Sequence, residues 1–444
     1  MDAREVALLT LNACERQGGW SDGVLKKQIA AAGLDSRDAG LATQLCFGVI
    51  QNRILLDFYL SKFSNIPLRR LEGKVLQALR LGLYQMLFLT RIPHSAAVDQ
   101  SVALTRAHCK NPRAPGMVNA ILRNLERSLD RLPTIPEDDP AEYYATLYSH
   151  PVWLVRELLE TLGSEGTAAF LQADNSQPPI TAMVNTVKTD LEGALEALQA
   201  EGVHGEPHPW LKNCLVLSRS GSLEELDAFQ NGLFYVQDPA SRLAVLALDP
   251  EPGSRVLDMC AAPGGKSFAA AIQMKDQGEI WSCDLHPHKK TLIQKGAQRL
   301  DLTCIRPQTA DGKVRRPEWE GAFDRVLVDA PCSGLGVIRK KPDIRFKDPE
   351  PLAGLPQVQS AILDNAAGYV KPGGVLVYST CTILERENRE VTDAFLAAHP
   401  EFRRERFLLP GPAGEVSGGQ ITLWPQVHGT DGFYICKLRK DGEA

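Results

Sequence analysis

The sequence predicts an α/β fold: a doubly wound, mostly parallel sheet in the C-terminal half, preceded by an all-helical domain and a small α+β domain. Three observations predict it. Apolar residues recur at helical spacing through the first 131 positions, strand-like and helical segments alternate beyond residue 250, and a proline- and acid-rich stretch follows the helical front.

A chain of 444 residues is too long for one core, since single domains usually hold about 100 to 200. Three domains are expected, at 1–131, 141–230 and 231–444. With 44% hydrophobic, 23% charged and 7% aromatic residues, the composition is that of a globular protein and excludes the disordered, collagen-like and membrane classes. The N-terminus carries acids inside its first apolar stretch, unlike an export signal, and a cytoplasmic protein is expected. The longest apolar run, 81–89, falls far short of the roughly 20 residues that cross a bilayer.

The ten cysteines, at 14, 46, 109, 214, 260, 283, 304, 332, 381 and 436, include no C-x-x-C pair and no neighbouring histidine at ligand spacing. No metal site is expected, and most of these thiols should be reduced, buried and inert. The net charge of −5 divides unevenly. Residues 1–131 hold 18 Lys and Arg against 11 Asp and Glu, so +7, which leaves −12 for the remainder. A basic helical domain suits the phosphates of a nucleic acid.

In that domain Leu71, Val75, Leu79, Leu83 and Leu87 recur every four residues, as do Met117, Ile121 and Leu125, and no segment reads as a sheet. Residues 132–140 (LPTIPEDDP) read as a linker and a domain boundary. Beyond it the spacing predicts a helix over 153–161, a strand over 180–187, a helix over 191–200 and a strand over 214–217. The C-terminal strands are expected at 255–259, 279–284, 303–307, 324–329 and 375–379, with helices between most of them. Such a sheet binds its ligand outside the carboxyl ends of its strands.

The first of these strands runs into Cys260, Ala261, Ala262, Pro263, Gly264, Gly265 and Lys266, a small-residue turn entering a helix at about Ser267. Free N–H groups and a positive dipole end there suit a carboxylate or phosphate. A P-loop would need a glycine where Cys260 stands, and the dinucleotide spacing G-x-G-x-x-G is absent. Asp284, ending the second strand, falls where a ribose-binding carboxylate would, so a ribose-bearing cofactor is expected. Cys332, in Asp329-Ala-Pro-Cys-Ser-Gly334, and Cys381, in Ser379-Thr-Cys-Thr382, both follow strand ends and so project to the ligand face. Prolines and glycines around Cys332 mark a shaped, exposed loop. Arg339, Lys340, Lys341, Arg345 and Lys347 form a basic cluster just beyond it, read as a path for a nucleic-acid backbone. Plainer readings stand beside these: Lys266 as a solvated helix-start lysine and Asp329 as a cap. Trp424, Pro425, His428 and the run to Phe433 are expected to shape a last hairpin.

Together, CAAPGGK, CDL (283–285), TADG (309–312), DAPCSGLG (329–336) and STCT (379–382) resemble the successive motifs of RNA 5-methylcytosine methyltransferases. Ser267 and Thr382 depart from that pattern, standing where Thr and Ser are common. The resemblance implies a Rossmann-like domain that binds S-adenosylmethionine. Residues Cys260 to Lys266 would wrap its methionine part, Asp284 would take the ribose hydroxyls, Asp311 would lie by the adenine, and Asp329 would stand between cofactor and target base. TRIPHSAAVDQSVAL (90–104) and GMVNAILRNL (116–125) resemble the NusB-type RNA-binding domain. That pairing implies bacterial 16S rRNA as partner, with no membrane or DNA partner and a monomeric enzyme. Transfer RNA as substrate, or a non-catalytic NusB-like factor, remain alternatives.

Carbon 5 of cytosine is a poor nucleophile, so electron density must first enter the ring by thiolate attack at carbon 6. A second group can then assist removal of the carbon 5 proton and release of the thiol. Spacing does not say which cysteine attacks. The resemblance assigns attack to Cys381 and release to Cys332, whereas DNA cytosine methyltransferases attack with their Pro-Cys cysteine. Asp329 is a candidate partner for ring nitrogen 3, where a hydrogen bond would stabilise charge.

Overall fold

Leucines at helical spacing build the first of two units in the computed structural model, which describes residues 1–17, 20–218 and 222–442. This unit comprises Met1–Ser176 together with Lys341–Lys347. Its helices are α1 (Ala3–Gln17), α2 (Ser21–Ala32), α3 (Ser36–Gln51), α4 (Arg53–Phe63), α5 (Gly73–Phe88), α6 (His94–His108), α7 (Ala114–Arg127), α8 (Pro140–Tyr148) and α9 (Val152–Asp174). Every residue of α5 from Val75 to Met86 is buried, because α1, α3, α4, α6 and α7 surround it. A helix buried on all sides sits at the centre of such a bundle, and its polar side chains Gln77, Arg80 and Gln85 are hydrogen-bonded there.

The proline-rich stretch does not end this unit. Its last residues start a helix: Asp139 caps α8 by accepting from the Ala141 N–H, and Pro140 occupies the first turn. The chain then continues in the same unit to Ser176. The helix expected over 153–161 extends to Asp174 across a break at Gly163, whose φ of 67° is non-helical.

Residues 341–347, part of the basic cluster, belong to this helical unit, where Pro342, Ile344 and Arg345 are buried while Lys341 is exposed, which corrects the reading of Arg345 as part of a nucleic-acid path. Arg345 is only 1% exposed and donates to the carbonyls of Gln51 and Ser149 and to the side chain of Asn175. Phe346 joins the core with the Arg53 guanidinium 3.3 Å from its ring centroid, and Asp343 accepts from Ser21 Oγ at 2.5 Å. Lys347 stands 5.3 Å from the Trp20 ring.

The second unit comprises Gln177–Lys340 and Asp348–Ala444. It opens with an antiparallel sheet in the order β2-β3-β1-β4, made of β1 (Ile180–Val184), β2 (His204–Pro207), β3 (Cys214–Ser218) and β4 (Phe234–Val236). Helices α10 (Leu191–Ala200) and α11 (Asp227–Gln230) complete this part. Strand β1 stops short of the expected residue 187 because Asn185 turns its side chain onto the carbonyls of Gly232 and Leu300.

Next come α12 (Pro239–Leu248), β5 (Arg255–Asp258), α13 (Gly265–Gln273), β6 (Glu279–Asp284), α14 (Pro287–Leu300), β7 (Ile305–Thr309), β8 (Phe323–Asp329), α15 (Leu355–Tyr369) and β9 (Val370–Thr380). The chain ends with α16 (Arg389–Ala398), β10 (Phe402–Arg404), β11 (Phe407–Leu408), β12 (Glu415–Val416), β13 (Gln420–Leu423), α17 (Pro425–His428) and β14 (Phe433–Lys440). The large sheet runs β10-β14-β9-β8-β5-β6-β7, with β13 beside β14; β9, β8, β5, β6 and β7 are parallel and the C-terminal strands antiparallel. Strand β7 begins two residues later than expected, since the Asp276 carboxylate takes the N–H groups of Thr303 and Cys304.

Both faces of the central strands are buried, and alternate residues serve different cores. Val256, Leu327, Val375 and Val377 enter one, while Leu257, Val326, Val328, Leu376 and Tyr378 enter the other. Strand order reverses on either side of β5, so its carboxyl end lies at the switch point where α/β sheets hold ligands.

Arg345 gives the first test. Arg345→Ala would strip three acceptors, that of Ser149 fully buried, of their donor, and stability of the helical unit should fall by about 2–4 kcal/mol in urea denaturation. Arg345→Lys should recover only part of this, because an ammonium cannot fork to all three. A loss below about 0.5 kcal/mol for the alanine variant, the usual range for surface changes, would contradict the anchoring role.

Candidate active site

Four carboxylates gather at the carboxyl ends of the parallel strands: Asp258 ends β5, Asp284 ends β6, Asp329 ends β8, and Asp311 lies just beyond β7. Between β5 and α13 the chain turns tightly, with the Ala261 N–H on the Cys283 carbonyl at 2.8 Å and the Gly264 N–H on the Ala261 carbonyl at 2.7 Å. Gly264 adopts φ 115°, and a Cβ there would run 2.4 Å from the Phe268 ring, so only glycine fits. The turn leaves the first N–H groups of α13 without helical partners. Cys260, Ala261, Ala262, Pro263, Gly264 and Gly265 form that turn, and burial holds the Cys260 thiol well above its ordinary range, so it stays inert.

Lys266 leaves the first turn of α13 to meet Asp329, Nζ to Oδ2 at 2.7 Å. It also stands 3.4 Å from Ser241 Oγ and 5.1 Å from the Phe433 ring centroid. Burial opposes its charge, but the adjoining Asp329 carboxylate outweighs burial and raises its pKa. Ser379 Oγ donates to the other Asp329 oxygen at 2.8 Å. Lys266 is therefore an ion-pair partner, not a solvated lysine.

Parallel pairing of β8 with β9 sets Asp329 opposite Ser379. Three residues beyond the first and two beyond the second, Cys332 and Cys381 bring their Sγ atoms to 3.2 Å. The Gly336 N–H donates to the Cys381 carbonyl, and the Gly432 N–H to that of Gly336. Cys332 is pushed well above the ordinary thiol range by its hydrogen bond to Cys381, then by burial, then by the negative charges of Cys381, Glu387 and Asp329.

Of the basic cluster, Arg339 and Lys340 bind acids of this unit. Arg339 Nε meets Asp431 Oδ1 at 2.8 Å, and Lys340 Nζ meets Asp431 Oδ2 at 2.8 Å and also Asp238. Asp238 caps α12 through the Ala240 N–H. These pairs pin the chain that follows Cys332 and correct its reading as a free phosphate path. His428 accepts from the Trp424 N–H at 2.9 Å, inside the turn between β13 and β14.

The donor set fits S-adenosylmethionine. Amide donors at the start of α13 can take its carboxylate, Asp284 can take ribose hydroxyls, and Leu285, 52% exposed, offers a base an apolar surface. The excess of acids over bases at these strand ends, Asp284 and Asp311 above all, favours a sulfonium cation and disfavours a polyphosphate. Asp311 holds the Lys313 N–H at 2.9 Å, and the neighbouring Ala310 N–H reaches the Asp284 carbonyl. Among the described residues no group of three or more His, Cys, Asp or Glu could hold a metal, and no helix is long and apolar enough to cross a membrane.

Sequence reasoning missed Asp258. Its carboxyl is fully buried, accepts from Ser267 Oγ at 2.7 Å, and Ser282 Oγ lies 2.7 Å from that hydroxyl. Its position as the last residue of the first strand was the available signal. Glu387, buried against the Cys332 loop, was also missed, because the run LERENRE reads as a solvated charged segment.

Two outcomes follow. Burial raises Asp258 to about 7, so the folded chain keeps this proton while the unfolded chain loses it near the usual carboxylate value. Its stabilising contribution is full below about pH 4 and disappears as pH rises through about 7, up to about 4 kcal/mol. Thermal unfolding at pH 5 and 8 should show wild type losing ground to Asp258→Asn at the higher pH; a pH-independent difference would contradict this. A Cβ at Gly336 would lie 1.8 Å from the Gly432 carbonyl oxygen, backbone against backbone. Gly336→Ala should therefore misplace Cys332 and lower kcat on the order of 100-fold in a methyl-transfer assay, and near wild-type kcat would refute the constraint.

Comparison with known proteins agrees with this architecture. A family model described as 16S rRNA methyltransferase RsmB/F matches residues 245–439, the NusB family matches 1–127, and an RsmF/B-like ferredoxin-like domain matches 150–224. The chain is 40% identical to a probable ribosomal RNA small subunit methyltransferase B of Bacillus subtilis, covering 99% of each chain. The crystal structure of a protein designated PH0851 superposes with TM-score 0.80 at 26% identity, over 99% of both chains. That of NSun6 from Pyrococcus horikoshii with SFG, an S-adenosylmethionine analogue, shares the fold at TM-score 0.58 and 21% identity, over 67% of this chain and 100% of that one. By its full-length identity, the chain belongs to the ribosomal RNA small subunit methyltransferase B family, S-adenosylmethionine-dependent enzymes that methylate rRNA.

Proposed function

We propose that this protein methylates carbon 5 of a cytosine in 16S rRNA through a covalent bond between Cys381 and carbon 6. The observation that carries this reading is the 3.2 Å approach of Cys332 and Cys381 beside the Lys266–Asp329 pair. Bound S-adenosylmethionine supplies an electrophilic methyl group. Residues Cys260 to Gly265 and the start of α13 hold its methionine part, with Asp284 on the ribose and Asp311 near the adenine.

The hydrogen-bonded contact between the two thiols supports a division of labour. Cys332 keeps its proton, for the reasons given above, which supports Cys381 as the thiolate that adds to carbon 6. Asp329, held by Lys266 and Ser379, would partner ring nitrogen 3 by passing on a proton received from Lys266, which neutralises the charge that develops there as Lys266 becomes the neutral amine. Once Cys381 is bonded to carbon 6 it carries no charge, so the strongest cause holding the proton on Cys332 is gone. Cys332 can then lose its own proton to solvent and take the one from carbon 5, and Cys381 leaves as thiolate. The basic charge of the NusB-like helices supports an RNA partner, and the rRNA relatives favour 16S rRNA over tRNA.

The test is a trapped intermediate. Cys332→Ala mixed with 16S rRNA and S-adenosylmethionine should accumulate a covalent protein–RNA adduct, lost when Cys381 is also replaced. No adduct from either single variant would sink the mechanism, and an adduct formed with tRNA alone would move the substrate.

A further inference from the structure

Glu387 joins the two cysteine segments. It lies in the short turn Glu385–Glu387 after Cys381, with no exposed surface. Its Oε2 accepts the Ser333 N–H at 2.9 Å and Gln359 Nε2 at 2.9 Å, and its Oε1 lies 3.4 Å from Thr382 Oγ1. Gln359 also donates to the Pro331 carbonyl, and the Ser333 and Thr382 hydroxyls meet at 2.7 Å. Residues on both sides of Cys332, and the one after Cys381, are thus tied to this carboxylate directly or through Gln359. The partners of its carboxylate are a backbone N–H, a side-chain amide and a hydroxyl.

A buried carboxylate without a cationic partner is costly, on the order of several kcal/mol. Hydrogen bonding alone does not require that charge. A glutamine could accept from Ser333 and Gln359 through its oxygen and donate to Thr382 through its nitrogen. The carboxylate stands beside the Cys332 thiol, one residue from the bonded Ser333 amide, and its negative charge is among the causes that raise that thiol.

We propose that Glu387 is a positioning residue that keeps the proton on Cys332 and so reserves the thiolate for Cys381. The inference rests on the two-thiol reading above. The charged and titratable groups around Cys332 are Cys381, Glu387, Asp329 and Tyr378, with Lys266 committed to Asp329. Only Glu387 among them also bonds the backbone beside Cys332. Its charge opposes ionisation of Cys332 before attack, and makes Cys332 a stronger base for the carbon 5 proton once Cys381 is bonded to the ring.

Alkylation by iodoacetamide, read at the Cys332 peptide by mass spectrometry across pH, tests this on the full chain. In a Cys381→Ser background, which isolates Cys332, Glu387→Gln should move the alkylation midpoint down by about one pH unit or more. Glu387→Asp, which keeps the charge, should leave the midpoint near that of the parent and serves if the glutamine variant is poorly folded. An unmoved midpoint in folded Glu387→Gln, or a downward shift in Glu387→Asp as large as that expected of Glu387→Gln, overturns the proposal. The alkylation needs no RNA, so its failure is distinct from failure of the trapped adduct, which would remove the two-thiol mechanism itself.

Discussion

The parallel ladder between β8 and β9 sets Asp329 beside Ser379 and sends both strands out of the sheet at the same height. From that register the rest of the site follows. Both strands bury each face, so a slip of one residue would exchange their two apolar sets between cores and is strongly disfavoured. Because the register is held by packing along the strands, the separation of Cys332 and Cys381 is fixed before any substrate arrives. This is the preorganisation that a two-thiol reaction needs.

Around that register the site manages charge. Acids dominate the carboxyl ends of the strands, and the one lysine that leaves α13 for them is consumed by Asp329. Asp258 avoids the cost of a buried charge by staying protonated through most of the acidic range. Downstream of Cys332, Arg339 and Lys340 are paired to Asp238 and Asp431, linking the loop to the start of α12 and to the turn before β14. Basic residues that a sequence reader assigns to RNA are thus used to hold the catalytic loop, and Arg345 is used to fill the helical unit.

The sequence by itself determined the strands β5, β6, β8 and β9, the glycine turn before α13 and the positions of both cysteines at strand ends. Each depends on local pattern: apolar runs between polar turns, small residues where backbone approaches backbone, and chemistry-bearing residues just past a strand. It also showed a helical front domain, since Leu71, Val75, Leu79, Leu83 and Leu87 recur every four residues. Tertiary structure alone decided the rest. Nothing local marks Glu387 as buried, because its burial comes from Gln359 on α15 and Ser333 in a loop 54 residues away. Nor could spacing tell that Arg345 belongs with Gln51 and Ser149, nearly 200 residues or more distant along the chain. The proline-rich stretch reads as a linker from its composition, and only the packing of α8 on α4 shows that the first unit continues past it. Side-chain partners drawn from distant segments carry no sequence period, so the burial of Glu387 and the pairing of Arg345 had to come from the folded chain.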